Sequence, residues 1–435
     1  MDVKAGYKQT DFGVIPEDWT VAELRHVCNE PITYGIVQCG PHVDNGVPYI
    51  RVSDMDAREL DVTRMLRTST TIAARFGRST VREADIVYAL RGTLGEVRQV
   101  GESVAGANLT QGTARLSPKA AVNSAYLLWA MRSQRLLRQA ELEAKGTTFR
   151  EITLADLRRI KVPLPPAREQ EAIAEALSDA DALIESVEQL LAKKRQIKQG
   201  AMQELLTGTK RLPGFETKSD HRQTEAGVLA GDWCAGDIGH AVERLEAGAS
   251  VNSEKDETAE YDSYPCVLKT GAASAGSFVP RESKRVARCD LWRLRVSVRK
   301  NTILVSRMNI VDLVGESGYV TFDFPNLFVP DRMWMATIRS TVSPRWFSYV
   351  LSWAPVKSQI SASATGTSGS MKNISKPSFR AVKVRYPPLN EQRAIANVLS
   401  EMDAEIVALE AKLAKARQIK QGMMQELLTG RIRLV

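Results

Sequence analysis

Two stretches of the chain carry apolar residues at alternating spacings of four and three positions. The first stretch contains Ile173, Leu177, Ala180, Ile184, Val187 and Leu191, and the second contains Ile395, Leu399, Met402, Ile406, Leu409 and Leu413. This spacing places one apolar stripe along a helix and is typical of the a and d positions of a coiled coil. A proline pair precedes each stretch, and Gly208 and Gly430 follow as natural C-terminal caps. The pattern therefore predicts two long helices, the first over 168–206.

Both predicted helices belong to a repeated block. Residues 166–212 and 388–434 align without a gap at an offset of 222, with 30 identities in 47 positions. Two nearly identical apolar seams in one chain are well suited to each other, so we predict that the helices pack together. The pseudo-twofold symmetry of the repeat favours an antiparallel pair. The alternative is that each helix packs separately on its own domain.

A shorter motif begins each half of the chain, at 7–19 and again at 221–233. Between the repeats lie two variable blocks, about 25–160 and 239–382, which show little similarity to each other. Short β-like runs at 48–54, 84–90, 301–307 and 318–324 alternate there with helical patterns at 124–143 and 344–353. This alternation predicts a mixed α+β domain in each block.

The repeat divides the chain into four segments. We predict a first recognition-type domain at 1–160, a central repeated helix at 161–212, a second domain at 213–382 and a C-terminal repeated helix at 383–435. The fold class is therefore α+β, with two mixed domains separated by two long antiparallel coiled-coil helices in a pseudo-twofold tandem repeat.

Composition excludes several classes of protein. The 435 residues contain no run of 18 apolar residues and begin without the apolar stretch of a secretory signal, so neither a membrane span nor a signal peptide is predicted. The five cysteines include no Cys-x-x-Cys pair, a usage that fits free thiols in a reducing cytoplasm. We therefore predict a cytoplasmic protein.

Two local clusters of basic residues indicate a polyanionic partner more strongly than the overall charge does. The chain has 59 basic and 51 acidic residues, a formal charge of +8, which by itself favours such a partner weakly. Residues 281–307 carry nine basic side chains against two acidic ones, and residues 64–98 carry seven arginines against three acids. The alternative is that these clusters are solvated loops and strand edges.

Motifs for catalysis are missing from the sequence. No glycine precedes a lysine, which excludes a Walker A phosphate loop, and no two glycines flank a single residue, which excludes a dinucleotide fingerprint. The four histidines show no metal-ligand spacing with one another or with the cysteines. A nuclease or methyltransferase activity of the chain itself is therefore disfavoured.

Two different basic domains on a rigid helical pair suit DNA recognition. Lysine and arginine bind phosphates, while a few side chains read base edges, so two readers at a fixed spacing would recognise two different half-sites. The main alternative is a coiled-coil adaptor whose variable domains bind other proteins. Only the DNA reader is expected to lose affinity steeply as salt shields the phosphates.

The motifs together resemble the specificity (S) subunit of type I restriction–modification systems. The resemblance rests on YKQTDFGVIPEDW at 7–19, ALRGTLGEV at 89–97, the segment 146–166, the two helix starts PLPPAREQEAIAEAL and PPLNEQRAIANVL, and the two QELLTG helix ends. The second half departs from the family pattern, with SRMNIVDLVGESG at 306–318 as a looser version of the RGTLGE segment and VLAGDW in place of VIPEDW. The motifs cover nearly all regions of the chain.

This resemblance implies a non-catalytic subunit that reads a bipartite, asymmetric sequence in double-stranded DNA. It implies two modification (methyltransferase) subunits as partners, two restriction subunits in the larger complex, and no membrane. S-adenosylmethionine, ATP and magnesium would belong to those partners, and no cofactor is expected in this chain. The candidate DNA contacts are Arg51, Arg75, Arg78, Arg91, Thr93, Lys269, Arg281, Lys284, Arg285, Arg288 and Arg307. Among them, four residues of the 281–288 segment are candidate phosphate contacts, and the alternative for any one residue is a role in surface solubility only.

Overall fold

The structure is a computed structural model that describes residues 5–146, 150–215, 221–224, 227–254, 261–368 and 371–434. Thr147–Phe149 of the segment 146–166, and residues 225–226 of the second short motif, lie outside the described residues. The first half contains strands β1 Tyr7–Thr10, β2 Gly13–Pro16, β3 Thr20–Glu23, β4 Thr33–Tyr34, β5 Val47–Ile50, β6 Arg67–Thr68, β7 Ile86–Ala89, β8 Val97–Gln99, β9 Asn108–Leu109, β10 Thr113–Leu116 and β11 Lys161–Leu164. Its helices are α1 Leu24–Val27, α2 Thr70–Arg75, α3 Ser124–Met131, α4 Gln134–Glu143, α5 Leu154–Arg159 and α6 Ala167–Thr207.

The second half follows the same plan with additional strands. Its strands are β12 His221–Thr224, β13 Gly227–Ala230, β14 Cys234–Asp237, β15 Val242–Ala247, β16 Cys266–Leu268, β17 Ala273–Ser274, β18 Ser277–Phe278, β19 Ser283–Arg285, β20 Ser297–Val298, β21 Thr302–Ser306, β22 Met308–Asn309, β23 Ser317–Tyr319, β24 Phe324–Phe328, β25 Met333–Ile338, β26 Thr365–Ser368, β27 Met371–Asn373 and β28 Lys383–Tyr386. Its helices are α7 Ile238–Ala241, α8 Pro344–Ser352, α9 Ala354–Ala362, α10 Lys376–Arg380 and α11 Leu389–Leu427. No helix in the described part of the chain is both long and apolar enough to cross a membrane.

The chain forms two compact units, and each unit contains one variable block and parts of both long helices. Unit 1 comprises Met1–Gln189 and Glu410–Val435, and unit 2 comprises Leu190–Leu409. Each unit therefore has the first half of one long helix and the second half of the other.

Within each unit, the two helix segments run antiparallel. In unit 1, Asp181 pairs with Lys420, and Glu188 pairs with Arg417 at 2.6 Å. Residue numbers therefore decrease along α11 in the direction in which they increase along α6. Unit 2 repeats this order in the pairs Lys194–Glu405, at 2.6 Å, and Lys198–Asp403. The predicted seam is buried or half-buried at every position. The predicted α+β fold with two long antiparallel helices is therefore confirmed.

The two variable blocks share one sheet topology although their sequences differ. The largest sheet of unit 1 has the order β4-β10-β7-β8, and its counterpart in unit 2 has the order β15-β25-β21-β23. A smaller sheet contains β6-β5-β9 in unit 1 and β19-β16-β24-β20 in unit 2, and in both sheets one pair of strands is parallel. In each unit, residues of the small sheet pack with residues of the large sheet in a separate hydrophobic cluster.

Each variable block begins and ends at one antiparallel strand pair. In unit 1, β3 pairs with β11, so that Glu23 lies opposite Lys161. In unit 2, β14 pairs with β28, so that Asp237 lies opposite Lys383. The chain therefore enters and leaves each block through two neighbouring strands, next to the start of a long helix.

Three predicted elements are interrupted, two of them by a local polar contact. The strand predicted over 48–54 ends at Ile50, because Asp54 accepts hydrogen bonds from the Arg51 backbone and turns the chain into a 3₁₀ helix. The helix predicted over 124–143 breaks at Ser133, whose hydroxyl caps α4 by accepting from the Leu136 N–H. The run predicted over 318–324 divides between β23 and β24.

A buried carboxylate fixes the start of α11 to the end of α6 within unit 2. The Arg211 guanidinium donates to both carboxylate oxygens of Glu391 and to both oxygens of Asp232, at 2.9 and 2.8 Å. The Trp233 indole N–H donates to Glu391 at 3.0 Å. Glu391 is 1% exposed, so Arg211 compensates the negative charge of a carboxylate that is buried away from solvent. The hydrogen bond with Asp232 raises the pKa of the Arg211 guanidinium.

The same arrangement recurs at the other pair of helix ends, within unit 1. Arg433 donates to Glu169 at 2.7 and 2.8 Å and to Asp18 at 2.7 Å, while the Trp19 indole donates to Glu169 at 2.9 Å. The hydrogen bond from Arg433 holds the pKa of the Asp18 carboxyl below its usual value. The short motif and the repeated block are thus two parts of one structural element, which explains why both recur.

We expect Glu391→Gln to lower the free energy of unfolding by about 3 kcal/mol, because it breaks a buried ion pair and leaves part of the Arg211 charge uncompensated. The matched control is Glu405→Gln, since the Glu405–Lys194 pair is more than a third exposed on both sides. That change should cost no more than about 1 kcal/mol. Urea titration followed by far-ultraviolet circular dichroism measures both values. Equal losses in the two variants would contradict the structural role of Glu391.

A second repeated contact fixes each variable block to the helices. In unit 1, the Trp129 indole donates to the Ser178 hydroxyl at 3.0 Å, and the Lys420 ammonium lies 4.6 Å from the centre of the Trp129 ring. In unit 2, the Tyr349 hydroxyl donates to Asp403 at 2.6 Å, and Lys198 lies 5.6 Å from its ring. The domains are therefore attached to the helices by side chains as well as by the chain connections.

Candidate nucleic-acid interface

The first variable block contains a cleft of about 690 Å³ at the end of strand β5. Its lining comprises Cys39, Tyr49, Arg51, Val52, Ser53, Arg91, Gly92, Thr110, Gly112 and Glu151. Arg51 follows the last residue of β5, and Arg91 follows β7 at the start of the Arg-Gly-Thr-Leu-Gly-Glu turn. Two of the predicted contact residues therefore meet in one cleft, although 40 positions separate them in the sequence.

Arg51 is held in place by a carboxylate, whereas Arg91 is free to bind. Two guanidinium nitrogens of Arg51 donate to Asp54 at 3.0 and 2.6 Å, and this bond raises the pKa of the Arg51 guanidinium. Arg91 is exposed, and its side chain has no hydrogen-bond or ion-pair partner among the described residues. The cleft thus presents one oriented guanidinium and one available to an anionic partner.

The second variable block contains a cleft of about 350 Å³ at the end of strand β16. Its lining comprises Ala249, Ser250, Val251, Ser253, Val267, Leu268, Lys269, Thr270, Lys284, Pro330, Asp331 and Arg332. Lys269 and Lys284 are predicted contacts, and both are exposed, with the Lys269 ammonium 3.5 Å from the Glu282 carboxylate. Three cations therefore line this cleft, against the single carboxylate of Asp331.

Strand register shows that the two clefts occupy equivalent positions. Tyr49 lies opposite Asn108 in the parallel pair of unit 1, and Val267 lies opposite Phe328 in the corresponding pair of unit 2. Tyr49 and Val267 are therefore equivalent residues, and the residues two positions after them, Arg51 and Lys269, are equivalent as well.

One glycine in each unit, Gly35 and Gly248, occupies an equivalent position beside the cleft. A Cβ on Gly35 would overlap the carbonyl oxygen of Leu109, and a Cβ on Gly248 would overlap that of Val329. Only glycine permits this close backbone approach. The next residue of each strand then forms an equivalent parallel bridge, Ile36 to Thr110 and Ala249 to Pro330. Both units thus build the cleft from one backbone framework and line it with different side chains.

Five further predicted contacts are exposed outside the cleft linings. Arg75 ends helix α2, Arg78 lies in the following 3₁₀ helix, and Thr93 lies in the turn after Arg91. Arg281 and Arg288 are exposed on either side of strand β19. These residues are accessible to a partner, and their role as DNA contacts stays a prediction.

Two of the predicted contact arginines are engaged within the protein. The Arg285 guanidinium lies 4.2 Å from the centre of the Tyr264 ring and 3.7 Å from the Glu254 carboxylate. The Arg307 guanidinium lies 5.9 Å from the centre of the buried Trp334 ring, and its side chain is half-buried. Their role as DNA contacts also stays a prediction.

Sequence reasoning missed other residues that line the clefts. Arg332 lies outside the basic cluster at 281–307, and only the fold brings it into the same cleft lining as Lys269. Tyr49 and Thr110 of the first cleft were missed because an isolated tyrosine or threonine carries no local signal. The Pro330-Asp331-Arg332 turn before strand β25 was the only pattern in the sequence that could have indicated Arg332.

Comparisons with known proteins agree with this architecture. The family model for the type I restriction modification DNA specificity domain matches residues 16–195 and 296–420, more than half of the chain. A putative type I restriction enzyme MjaX specificity subunit from Methanocaldococcus jannaschii is 26% identical over 98% of this chain and 97% of that relative. The EcoBI specificity subunit of Escherichia coli is 26% identical over 56% of this chain, an alignment that spans about half (51%) of that relative's length.

Solved structures show the same fold. The crystal structure of the S subunit of a type I restriction–modification system from M. genitalium superposes with a TM-score of 0.58 at 16% identity, over 98% of both chains. A structure from work on complex assembly and conformational transition of the type I system gives a TM-score of 0.53 at 16% identity, over 96% of this chain and 99% of that chain. With the family match, the tandem repeat and the paired clefts, these results establish that the chain belongs to the type I restriction modification DNA specificity family.

Proposed function

We propose that this chain is the non-catalytic specificity subunit of a type I restriction–modification complex and that it reads a bipartite, asymmetric DNA site. The observation that carries the proposal is the pair of equivalent clefts, one in each variable block, with the same backbone and different side chains. A common framework gives both domains the same mode of binding. Different linings give them different sequences to read.

Charge in the clefts supports a polyanionic ligand. The first cleft is lined by Arg51 and Arg91 against Glu151, and the second by Lys269, Lys284 and Arg332 against Asp331. An arginine can bind the O6 and N7 atoms of guanine with two hydrogen bonds, and lysine acts as a point charge toward phosphate or guanine. Because the two sets of cations differ, we infer that the half-sites differ in sequence.

The repeated helices support two copies of one partner. Ile197 on α6 and Ile419 on α11 occupy equivalent positions of the repeat and are 47% and 53% exposed. Each is an apolar side chain in a stretch of otherwise polar surface, and together they offer two equivalent contacts for one kind of protein. We infer that two modification subunits bind along the repeats and that two restriction subunits join the larger complex. S-adenosylmethionine, ATP and magnesium then belong to those partners, and the complex acts in the cytoplasm.

The decisive experiment combines a sequence readout with a binding readout. Sequencing of methylated adenines in cells that carry this chain and its methyltransferase is expected to show one two-part site with different halves. Binding of the purified protein to that duplex should weaken steeply as salt rises. Methylation independent of this chain, or binding without salt dependence, would support the protein-binding adaptor instead.

Lys284→Ala should weaken binding to all duplex sequences to a similar degree and reduce the slope of log affinity against log salt by about one. The physical reason is that an exposed lysine at the cleft rim releases one condensed counterion when it contacts a phosphate. The matched control is Lys415→Ala, an equally basic and exposed change on helix α11 outside both clefts. Salt titrations of fluorescence anisotropy measure both slopes, and a slope unchanged by Lys284→Ala would rule out a phosphate contact there.

A further inference from the structure

One tryptophan of unit 2 is almost fully exposed. All seven tryptophans of the chain are described, and five of them are buried while Trp353 is half-buried. Trp292, in the 3₁₀ helix Arg288–Arg293, is 78% exposed. A side chain of this size gains considerable free energy when a partner covers it.

The turn that carries Trp292 is fastened to the wall of the second cleft. Asp290, two residues earlier, accepts hydrogen bonds from the backbone and side-chain nitrogens of Asn252, at 2.7 and 2.9 Å. Asn252 lies between Val251 and Ser253, which both line the cleft. The Asn252 carbonyl in turn accepts from the Ala287 N–H at 2.9 Å. The position of Trp292 is therefore tied to the cleft that we propose reads the second half-site.

The surroundings of Trp292 specify the charge of its partner. The segment around it carries Arg288, Arg293 and Arg295, and Asp290 is its one acidic residue. Asp290 is 8% exposed, and its carboxylate lies 3.6 Å from Arg293 and is engaged by Asn252. An exposed indole among arginines matches a ligand that has both apolar surface and negative charge. Duplex DNA has both, in its bases and sugars and in its phosphates.

The equivalent helix of the first domain lacks this exposed tryptophan. Strands β6 and β19 are equivalent, and the helix that follows each has six residues, Thr70–Arg75 in unit 1 and Arg288–Arg293 in unit 2. Alignment of these helices places Ala74 at the position of Trp292, and Arg75 at the position of Arg293. The framework is therefore shared, and the aromatic side chain is particular to the second domain.

We propose that Trp292 is an aromatic DNA contact of the second domain, which packs its indole against a base or deoxyribose beside the half-site bound in the second cleft. The proposal rests on the proposed function, because it requires that the second cleft binds duplex DNA. It adds a contact outside the cleft lining and makes the two domains unequal in how they hold the duplex.

Fluorescence provides a direct test, because Trp292 is the most exposed of the seven tryptophans. Acrylamide, a neutral quencher, should quench Trp292 in the free protein, and the methylation-site duplex should protect it. Trp292→Ala should weaken binding to this duplex about tenfold, because the apolar surface of the indole that DNA covers is lost. Trp292→Phe should restore most of that affinity, since a smaller ring still packs. The matched control is Phe322→Ala, which removes another exposed aromatic ring, 70% exposed and next to Asp323.

The outcomes separate this inference from the proposed function. Protection of Trp292 by DNA, with a loss of affinity in Trp292→Ala but not in Phe322→Ala, supports the contact. The contact is overturned if DNA binding depends on salt but Trp292 stays quenchable in the complex and Trp292→Ala keeps the wild-type affinity. That result leaves the proposed function standing. Protection by a purified modification subunit but not by DNA overturns it in favour of a protein interface. If the wild-type chain binds no duplex at all, the proposed function fails, and this inference fails with it.

Discussion

Replacing residues 25–160 with the corresponding block of another specificity chain should change one half of the methylated site and leave the other half unchanged. Because the original half-site no longer fits, affinity for the original duplex should fall toward the non-specific level, a loss of at least about a thousandfold.

The structure gives the physical reason for this modularity. The first block enters and leaves through the paired strands β3 and β11, next to each other in the sheet, so both junctions of an exchange lie side by side. The block also has its own small sheet and hydrophobic cluster, which an exchange transfers whole. The matched control exchanges residues 239–382 instead, which should change only the other half of the methylated site. Sequencing of methylated adenines reads the result, and a change in both half-sites would contradict independent reading.

The long helices and their pairing could be predicted from the sequence because their signals are local or repeated. The seam from Ile173 to Leu191 recurs at 395–413, and a repeated seam needs no knowledge of the rest of the fold. The helix predicted over 168–206 is observed over Ala167–Thr207. Gly208, with a φ of +74°, follows directly in the left-handed conformation that ends a helix at glycine.

The clefts could be predicted only in part, because they depend on contacts between distant residues. Arg91 belongs to a basic cluster and to a motif of the sequence, whereas Arg51 belongs to neither. Their meeting in one cleft depends on how β5 and β7, which lie in different sheets, are placed in the fold. The same holds for the similarity of the two variable blocks. It resides in strand order and in pairings such as Gly35 with Leu109, which the sequences do not share as a pattern.

Side-chain engagement could not be predicted either. A count of basic residues treats Arg307 and Lys284 alike, whereas the structure places Arg307 beside Trp334 and leaves Lys284 exposed at the cleft. Whether a cation faces solvent or an aromatic ring depends on which strands neighbour it. Charge clusters in a sequence therefore indicate the class of partner more reliably than the individual contacts.

Inserting one heptad into each long helix should abolish tight binding to the original site. We propose that these helices set the distance between the half-sites, since α6 and α11 run for 41 and 39 residues and have no proline inside. Insertions at equivalent positions of the repeat, after Ala192 and after Ala414, keep the apolar seam in phase, so the fold should persist. They lengthen each helix by about 10 Å at ~1.5 Å per residue, or roughly three base pairs at ~3.4 Å each.

Three base pairs are close to a third of a DNA turn of about 10–10.5 pairs, so the second reader would meet the duplex on another face. Affinity for the original site should therefore fall by about a thousandfold, to the level of non-specific binding. Duplexes whose central spacer varies by one pair at a time measure the new preference, which should move to longer spacers. The matched control inserts a heptad of the same composition after Gly214, beyond the end of α6, where it leaves both helices unchanged. If the lengthened protein still prefers the original spacer, the helices do not set the distance between the half-sites. The lengthened and wild-type proteins differ only in the length of these helices.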